Sequence, residues 1–247
     1  MNERSSSTRS AGSAKFAPTR WTLVLSARAP DSPQAARALA ELCGLYWFPL
    51  YAYVRRRACA PHDAQDLTQE FFARLLEKRK LAGLTREKGK FRSFLLTALN
   101  HFLLDEWKRG QAQKRGAHQI VSLDAATAET RYRLEPADTL TAEKVYEKQW
   151  ALTLLNTVFS RLQQEYVAAG KGGVFAELEF ALTGTRSSVS YDELAERLKM
   201  SESAVKVAVH RLRRRYREVL RSEVAQTVAG PDEVEAELRD LLRAVAG

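Results

Sequence analysis

Cysteine is nearly absent from this 247-residue chain: Cys43 and Cys59 are its only two. They stand in no CxxC or other metal spacing, which excludes a disulfide scaffold and a thiolate zinc site. Both flank apolar helical segments, so the reading is two reduced thiols packed as small hydrophobes. The four histidines, at 62, 101, 118 and 210, are too scattered for a metal cluster. No metal and no cofactor is expected. No apolar run approaches the ~20 residues of a membrane span. The opening MNERSSSTRSAGSAK lacks the apolar stretch of a secretory signal and reads as a flexible tail over residues 1–18. A cytoplasmic chain with no membrane partner is the expectation. Alternating β-branched runs are almost missing, which points to an all-α fold. There is no internal repeat, no Gly-rich phosphate loop, no HExxH and no paired nucleophile and base, so no catalytic residue is nominated and the chain is not expected to be an enzyme.

What is present is positive charge and helical periodicity. The formal net charge is +9, the pI is about 9.7, and 45% of residues are hydrophobic. That balance combines a real core with a polyanionic partner, nucleic acid before membrane. Two helical blocks emerge, over 19–110 and 141–229. The first opens on the apolar Trp21, Leu23, Val24 and Leu25. One or two helices follow over 35–57, with Pro49 near a kink or start. The next helix opens at Pro61, and a long one runs from Phe91 to Lys108. Residues 111–140 are polar and lack a sustained helical period, as in a flexible linker with short ordered pieces. The second block starts with a long amphipathic helix broken by Gly170, Gly172 and Gly173, followed by a helix over 174–182. The last segment, 230–247, is an extension with Val234, Leu238, Leu241, Leu242 and Val245 along one side of a short helix.

The densest signal is SYDELAERLKMSESAVKVAVHRLRRRYR, residues 190–217. It reads as a helix-turn-helix. Tyr191–Leu198 forms a short helix with Leu194, Ala195 and Leu198 on its apolar face, and Lys199, Met200 and Ser201 make the turn. Ser201 caps the second helix, and Glu202 suits its positive first turn. Val205, Val209, Leu212 and Tyr216 recur at helical spacing and face inward. Ser203, Lys206, Val207, His210, Arg211 and Arg214 share the opposite face, the one a recognition helix lays in a major groove. One misfit is Lys199, at a turn position where a left-handed backbone favours glycine; a side chain there costs about 1 kcal/mol.

A second constellation is DAQDLTQEFFARLLEK. Asp63, Asp66 and Glu70 fall at i, i+3 and i+7, on one exposed face of an otherwise basic chain, while Leu67, Phe71, Leu75 and Phe72 turn inward. The acids suit a helix N-terminus, which explains only part of the run. Together with FRSFLLTALNHFLLDEWKR and the helix-turn-helix, in that order and spacing, this segment resembles an extracytoplasmic-function (ECF) sigma factor of bacterial RNA polymerase. The first two segments resemble its region 2 and the third its region 4. The resemblance covers about residues 46–109 and 141–228.

That resemblance implies two helical domains joined by a linker and a set of roles. Asp63, Asp66, Gln69 and Glu70 would dock on core RNA polymerase. Asn100, His101, Trp107, Lys108 and Arg109 would hold the −10 element, its unpaired strand needing cations and aromatic faces. Lys206, Val207, His210 and Arg211, with Ser203 and Arg214, would read the −35 element. Promoter DNA and core polymerase are the implied partners, with an anti-sigma factor or a regulatory kinase acting near Thr68 as further ones. Departures are Gln65 where the family has a third acid, His101 where it has Asn, and Phe94 where Trp is common. Two other readings compete. A stand-alone helix-turn-helix regulator leaves 63–77 and 91–109 unexplained. A Mg²⁺-dependent nuclease using Asp63, Asp66, Glu70 and Asp105 has no further motif behind it.

Overall fold

The computed structural model describes residues 33–57, 59–77, 90–112, 125–133, 140–183 and 190–246. Among them every regular element is helical and none is a strand, the all-α class expected. The 1–18 tail, the Trp21–Leu25 anchor and the Gly83/Gly89 loop lie outside the described residues. No described helix is long and apolar enough to cross a membrane.

Helix α1 (Pro33–Arg56) is one continuous helix that runs through Pro49. The proline ring removes one amide donor from the middle of the ladder, a cost that burial must offset. Burial here is extreme: residues 46–54 are all buried. A helix apolar on every side needs neighbours on every side. It has α2 (Pro61–Glu77), which begins with proline at its first position, α4 (Ala125–Arg133) and α5 (Ala142–Ala168). Helix α3 (Phe91–Ala112) adds Phe91, Leu95, Leu99 and Phe102 at helical spacing, all buried. It runs past the expected end at Lys108 and through Gly110, which lowers helix propensity without breaking a helix.

The second half begins when Thr141 caps α5, its hydroxyl accepting from the Lys144 amide at 3.3 Å. Gly170, at φ 70°, ends that helix. The Lys171 amide bonds back to the Tyr166 carbonyl and the Gly170 amide to that of Val167, a termination that needs a left-handed residue. The helix expected over 174–182 is two short pieces, α6 (Gly172–Leu178) and α7 (Phe180–Thr183). Helices α8 (Tyr191–Leu198) and α9 (Glu202–Ala225) follow. A 3₁₀ turn at Pro231–Glu233 leads into α10 (Val234–Ala246).

Two hydrophobic cores organise these helices, and they share α5 and α9. The larger joins α1, α2 and α3 to the N-terminal half of α5, where Val145, Tyr146, Trp150, Ala151 and Leu154 are buried. It also takes Val224 from the end of α9, Val228 beyond it, and Val234 and Leu241 from α10. The smaller packs Leu162 from α5 with Phe175 and Leu178 from α6, Leu194 from α8, and Val205, Val209 and Leu212 from α9. Each fully buried large side chain contributes about 1.5–3 kcal/mol relative to exposure. Of the five apolar residues expected on one side of α10, Val234 and Leu241 are buried and Leu238 and Val245 half-buried. Leu242 is 60% exposed: it follows the buried Leu241 directly, and adjacent residues on a helix point some 100° apart.

Within residues 111–140, α4 is docked on α1. The Glu129 carboxylate accepts two hydrogen bonds from Arg55, both at 2.9 Å, and one from the Tyr51 hydroxyl at 2.7 Å. Arg131 stacks over the Phe48 ring at 3.9 Å, and Arg55 over that of Tyr132 at 5.0 Å. Cys43 and Cys59 are half-buried free thiols packed against the larger core, and burial pushes the Cys43 thiol up to about 11.

Candidate nucleic-acid interface

Helices α8 and α9 form the helix-turn-helix. Ser190 and Glu193 make a reciprocal capping box at the start of α8. At its end Lys199 sits in the left-handed region, φ 52° and ψ 46°, the one non-glycine residue with positive φ among those described. The turn repays that strain in hydrogen bonds. The Met200 amide reaches the Ala195 carbonyl at 2.9 Å and the Lys199 amide that of Glu196 at 3.2 Å. Met200 packs against the smaller core beside Leu198. Ser201 then caps α9, accepting from the Ala204 amide.

With Val205, Val209 and Leu212 buried below it, the outer face of α9 is set. Ser203, Lys206, Val207, His210, Arg211 and Arg214 are all exposed and fall at i, i+3, i+4, i+7, i+8 and i+11. Lys206 pairs with Glu202, which raises its pKa and keeps the ammonium charged, and lies over the Tyr191 ring. Arg214 pairs with Glu218. Arg211 and Arg217 have no ion-pair partner among the described residues. Two arginines of the run work inward. Arg213 donates to the Ala181 carbonyl, and Arg215 makes two bonds to Glu165 of α5 at 2.8 and 3.0 Å. These fix the helix on its scaffold, a role that the undifferentiated RRR run did not disclose.

On α2, Asp63 and Asp66 are exposed and Gln69 half-buried. Asp66 is 3.0 Å from His62. Glu70 is committed elsewhere. It takes Arg74 at 2.6 Å, Arg74 takes Glu106 at 2.6 Å, and Glu106 takes Arg109 at 2.7 Å. This chain staples α2 to α3, with Arg74 stacked over Phe102. Thr68 corrects an expectation: it is fully buried, and its hydroxyl donates to the Ala64 carbonyl at 2.7 Å. It falls four residues after Ala64 and three before Phe71, on the buried side of the helix, so it is not placed to accept a phosphate. Among the described residues no group of three or more His, Cys, Asp or Glu is placed to hold a metal.

On α3, His101, Lys108 and Arg109 are exposed and Trp107 is 65% exposed. Asn100 is half-buried, its side-chain carbonyl accepting from the Tyr53 hydroxyl at 2.7 Å and from Arg57 at 2.8 Å. The sequence reading missed two neighbours of Trp107. Leu104, one helical turn before it, is 52% exposed. Arg57 comes from the end of α1. With Val54, Cys59, Leu67, Leu103 and Glu106 they line a cleft of about 610 Å³ between α1, α2 and α3. Leu104 was detectable as an apolar residue off the Phe91–Leu95–Leu99–Phe102 stripe. Arg57 had no such signal.

This cleft and the acidic helix lie within one stretch of sequence. Residues 49–113 match the family Sigma-70 region 2. The match spans the last third of α1 and all of α2 and α3, and it supports a sigma-70 type of factor. No curated protein and no solved structure matches the chain. The Sigma-70 region 2 segment therefore carries Asp63, Asp66, Gln69 and Glu70 on one surface and His101, Trp107, Lys108 and Arg109 on another, while the helix-turn-helix stands outside it.

Proposed function

We propose that this chain is an RNA polymerase sigma factor of the extracytoplasmic-function type, directing promoter-specific initiation without catalysis of its own. The observation that carries this reading is the co-occurrence in one chain of the Sigma-70 region 2 match over 49–113 and a capped helix-turn-helix with an exposed cationic second helix. A cytoplasmic site of action follows from that role.

The roles divide by surface. Asp63 and Asp66, exposed at the start of α2, offer negative charge to a basic partner face of core polymerase, with Gln69 beside them; Glu70 contributes by holding Arg74. Trp107 supplies a stacking face for an unpaired base, and His101, Lys108 and Arg109 supply polar and cationic contacts along its strand. Asn100 shapes this site through Tyr53 and Arg57. On α9, Arg211 and Lys206 are suited to guanine edges, Val207 to a thymine methyl, and Ser203, His210 and Arg214 to phosphates and edges. Two modest sites on one chain reinforce each other, so neither need bind tightly alone.

Footprinting tests this. With core polymerase the chain is expected to protect a −35 and −10 pair and to open the −10 region. Protection of duplex DNA by the chain alone, unchanged by polymerase, would identify a stand-alone helix-turn-helix regulator instead.

A further inference from the structure

An asparagine carboxamide ends in an acceptor and a donor of nearly equal size, and the arm that faces a ligand decides what it reads. At Asn100 the neighbours settle which arm that is. Arg57 Nη1, at the end of α1, lies 2.8 Å from one arm, and the Tyr53 hydroxyl lies 2.7 Å from the same atom. A guanidinium has N–H donors and no acceptor, so the atom it meets is the oxygen. The Tyr53 hydroxyl has one proton to give. Arg57 also donates to that hydroxyl, at 3.3 Å, and fills its acceptor side. The proton then goes to Asn100 at 2.7 Å in preference to Glu143 of α5 at 3.3 Å. Both lone pairs of the Asn100 carbonyl are thereby occupied. Its amide nitrogen has no hydrogen-bond partner among the described residues and is open to solvent.

That free amide stands on the side of α3 that carries Trp107. Asn100, Leu103, Leu104 and Trp107 fall at i, i+3, i+4 and i+7, with Asn100 about 10 Å along the axis from Trp107. Arg57 joins the two, since it bonds Asn100 and lines the cleft with Leu103, Leu104 and Trp107. An asparagine ordinarily reads adenine with both arms, its oxygen on the N6 amino group and its nitrogen on N7. Here the oxygen is held twice within the protein, so only N–H donors face outward. A donor suits the keto oxygens, O4 of thymine and O6 of guanine, and opposes the amino groups of cytosine and adenine.

We propose that Tyr53 and Arg57 are positioning residues that fix Asn100 with its carbonyl inward and its amide outward, so that one position of the unpaired −10 strand is selected for a keto base, thymine or guanine. The reading of a strand rests on the sigma-factor proposal; the orientation of the carboxamide does not.

The test presents the full chain, bound to core polymerase, with short single-stranded DNA of random sequence; the retained strands are sequenced and aligned. The unaltered chain is expected to show a position where keto bases outnumber amino bases about tenfold, the effect of a donor left unpaired against a donor. Asn100→Asp keeps the shape and the Arg57 contact but turns an acceptor outward. It is expected to reverse that position to adenine or cytosine and to leave the rest of the profile in place. Tyr53→Phe with Arg57→Gln lets the carboxamide turn either way, since glutamine both donates and accepts, and is expected to flatten the same position to within about twofold. Arg57→Lys, a donor only, is expected to keep the keto preference. Base ratios are taken within each protein, so a loss of folded chain lowers the yield without moving them. A uniform loss of retention in Asn100→Asp, with no reversal, would put the amide on a phosphate and overturn the proposal. A sharp keto position in the double variant would overturn the role of Tyr53 and Arg57. In the free chain, the side-chain NH₂ resonances that vanish in Asn100→Asp are expected to exchange with water as fast as those of an exposed asparagine; protected resonances would also overturn it. Retention of no strand beyond that by polymerase alone would refute the sigma-factor reading instead, and the exchange measurement would still decide the orientation.

Discussion

Single residues carry much of the argument, and two of them give sharp tests. Lys199 holds a left-handed conformation that costs an ordinary residue about 1–2 kcal/mol, against about 0.5–1 kcal/mol of extra chain entropy for glycine. Lys199→Gly is therefore expected to stabilise the fold by about 0.5 kcal/mol, read as a higher urea midpoint; a lower midpoint would contradict the strain. Glu129 is the second. The hydrogen bonds from Arg55, ahead of those from Tyr51 and Arg133, hold its carboxyl down at about 2. A lowered carboxylate stabilises the fold fully above the usual carboxylate range, and that contribution fades as pH falls toward about 2. Glu129→Gln is expected to lower stability at pH 7 by about 1.5–3 kcal/mol, the worth of charged hydrogen bonds. The deficit should shrink on acidification through pH 4 toward 2, and melting curves at several pH values check it. Thr68 gives a lesson in spacing instead: it falls four residues after Ala64 and three before Phe71, on the buried stripe and away from Asp63, Asp66 and Glu70, so its burial follows from the helical period.

At the scale of elements, legibility followed periodicity. The α9 pattern of Val205, Val209 and Leu212 beneath Lys206, His210 and Arg211 was readable, because a regular apolar stripe fixes both faces of a helix at once. Helix ends were readable where a cap or a left-handed glycine encoded them, as at Ser201 and Gly170. Helix α4 was not readable: its nine residues, AATAETRYR, have no apolar stripe, and it is held by Glu129, Arg131 and Tyr132 on α1. Such contacts pair residues 74 positions apart and leave no local trace. The same holds for Glu70, whose charge seemed free until Arg74 and Glu106 were seen around it. Two element-level predictions follow from these faces. Lys206→Ala with Arg211→Ala is expected to weaken binding to a −35 duplex by about 1–3 kcal/mol per base-reading contact, with circular dichroism unchanged. Trp107→Ala is expected to weaken capture of unpaired −10 DNA by about 1–3 kcal/mol while leaving the melting temperature nearly unchanged, since the ring is 65% exposed. A large drop in melting temperature would instead make Trp107 a core residue.

For the whole molecule, the all-α class and the positive charge were plain from composition, whereas the two blocks expected on either side of 111–140 share one core, in which Tyr146 and Trp150 of α5 and Val224 of α9 pack with α1 and α3. How the blocks meet was not plain, because Tyr146 and Trp150 look like any amphipathic face until Tyr53 and Arg92 are placed against them. The arrangement assigns opposite charge to separate surfaces: acids on α2, cations on α9 and at the end of α3. A chain built this way should bind protein and DNA through independent faces, so a defect in one need not spread to the other. The most direct measurement is retention of bacterial core RNA polymerase by the immobilised chain, with Asp66→Arg beside it. The account predicts capture by the unaltered chain, loss in Asp66→Arg, and intact capture by Lys206→Ala with Arg211→Ala. Equal capture by the first two, or none by either, would contradict it.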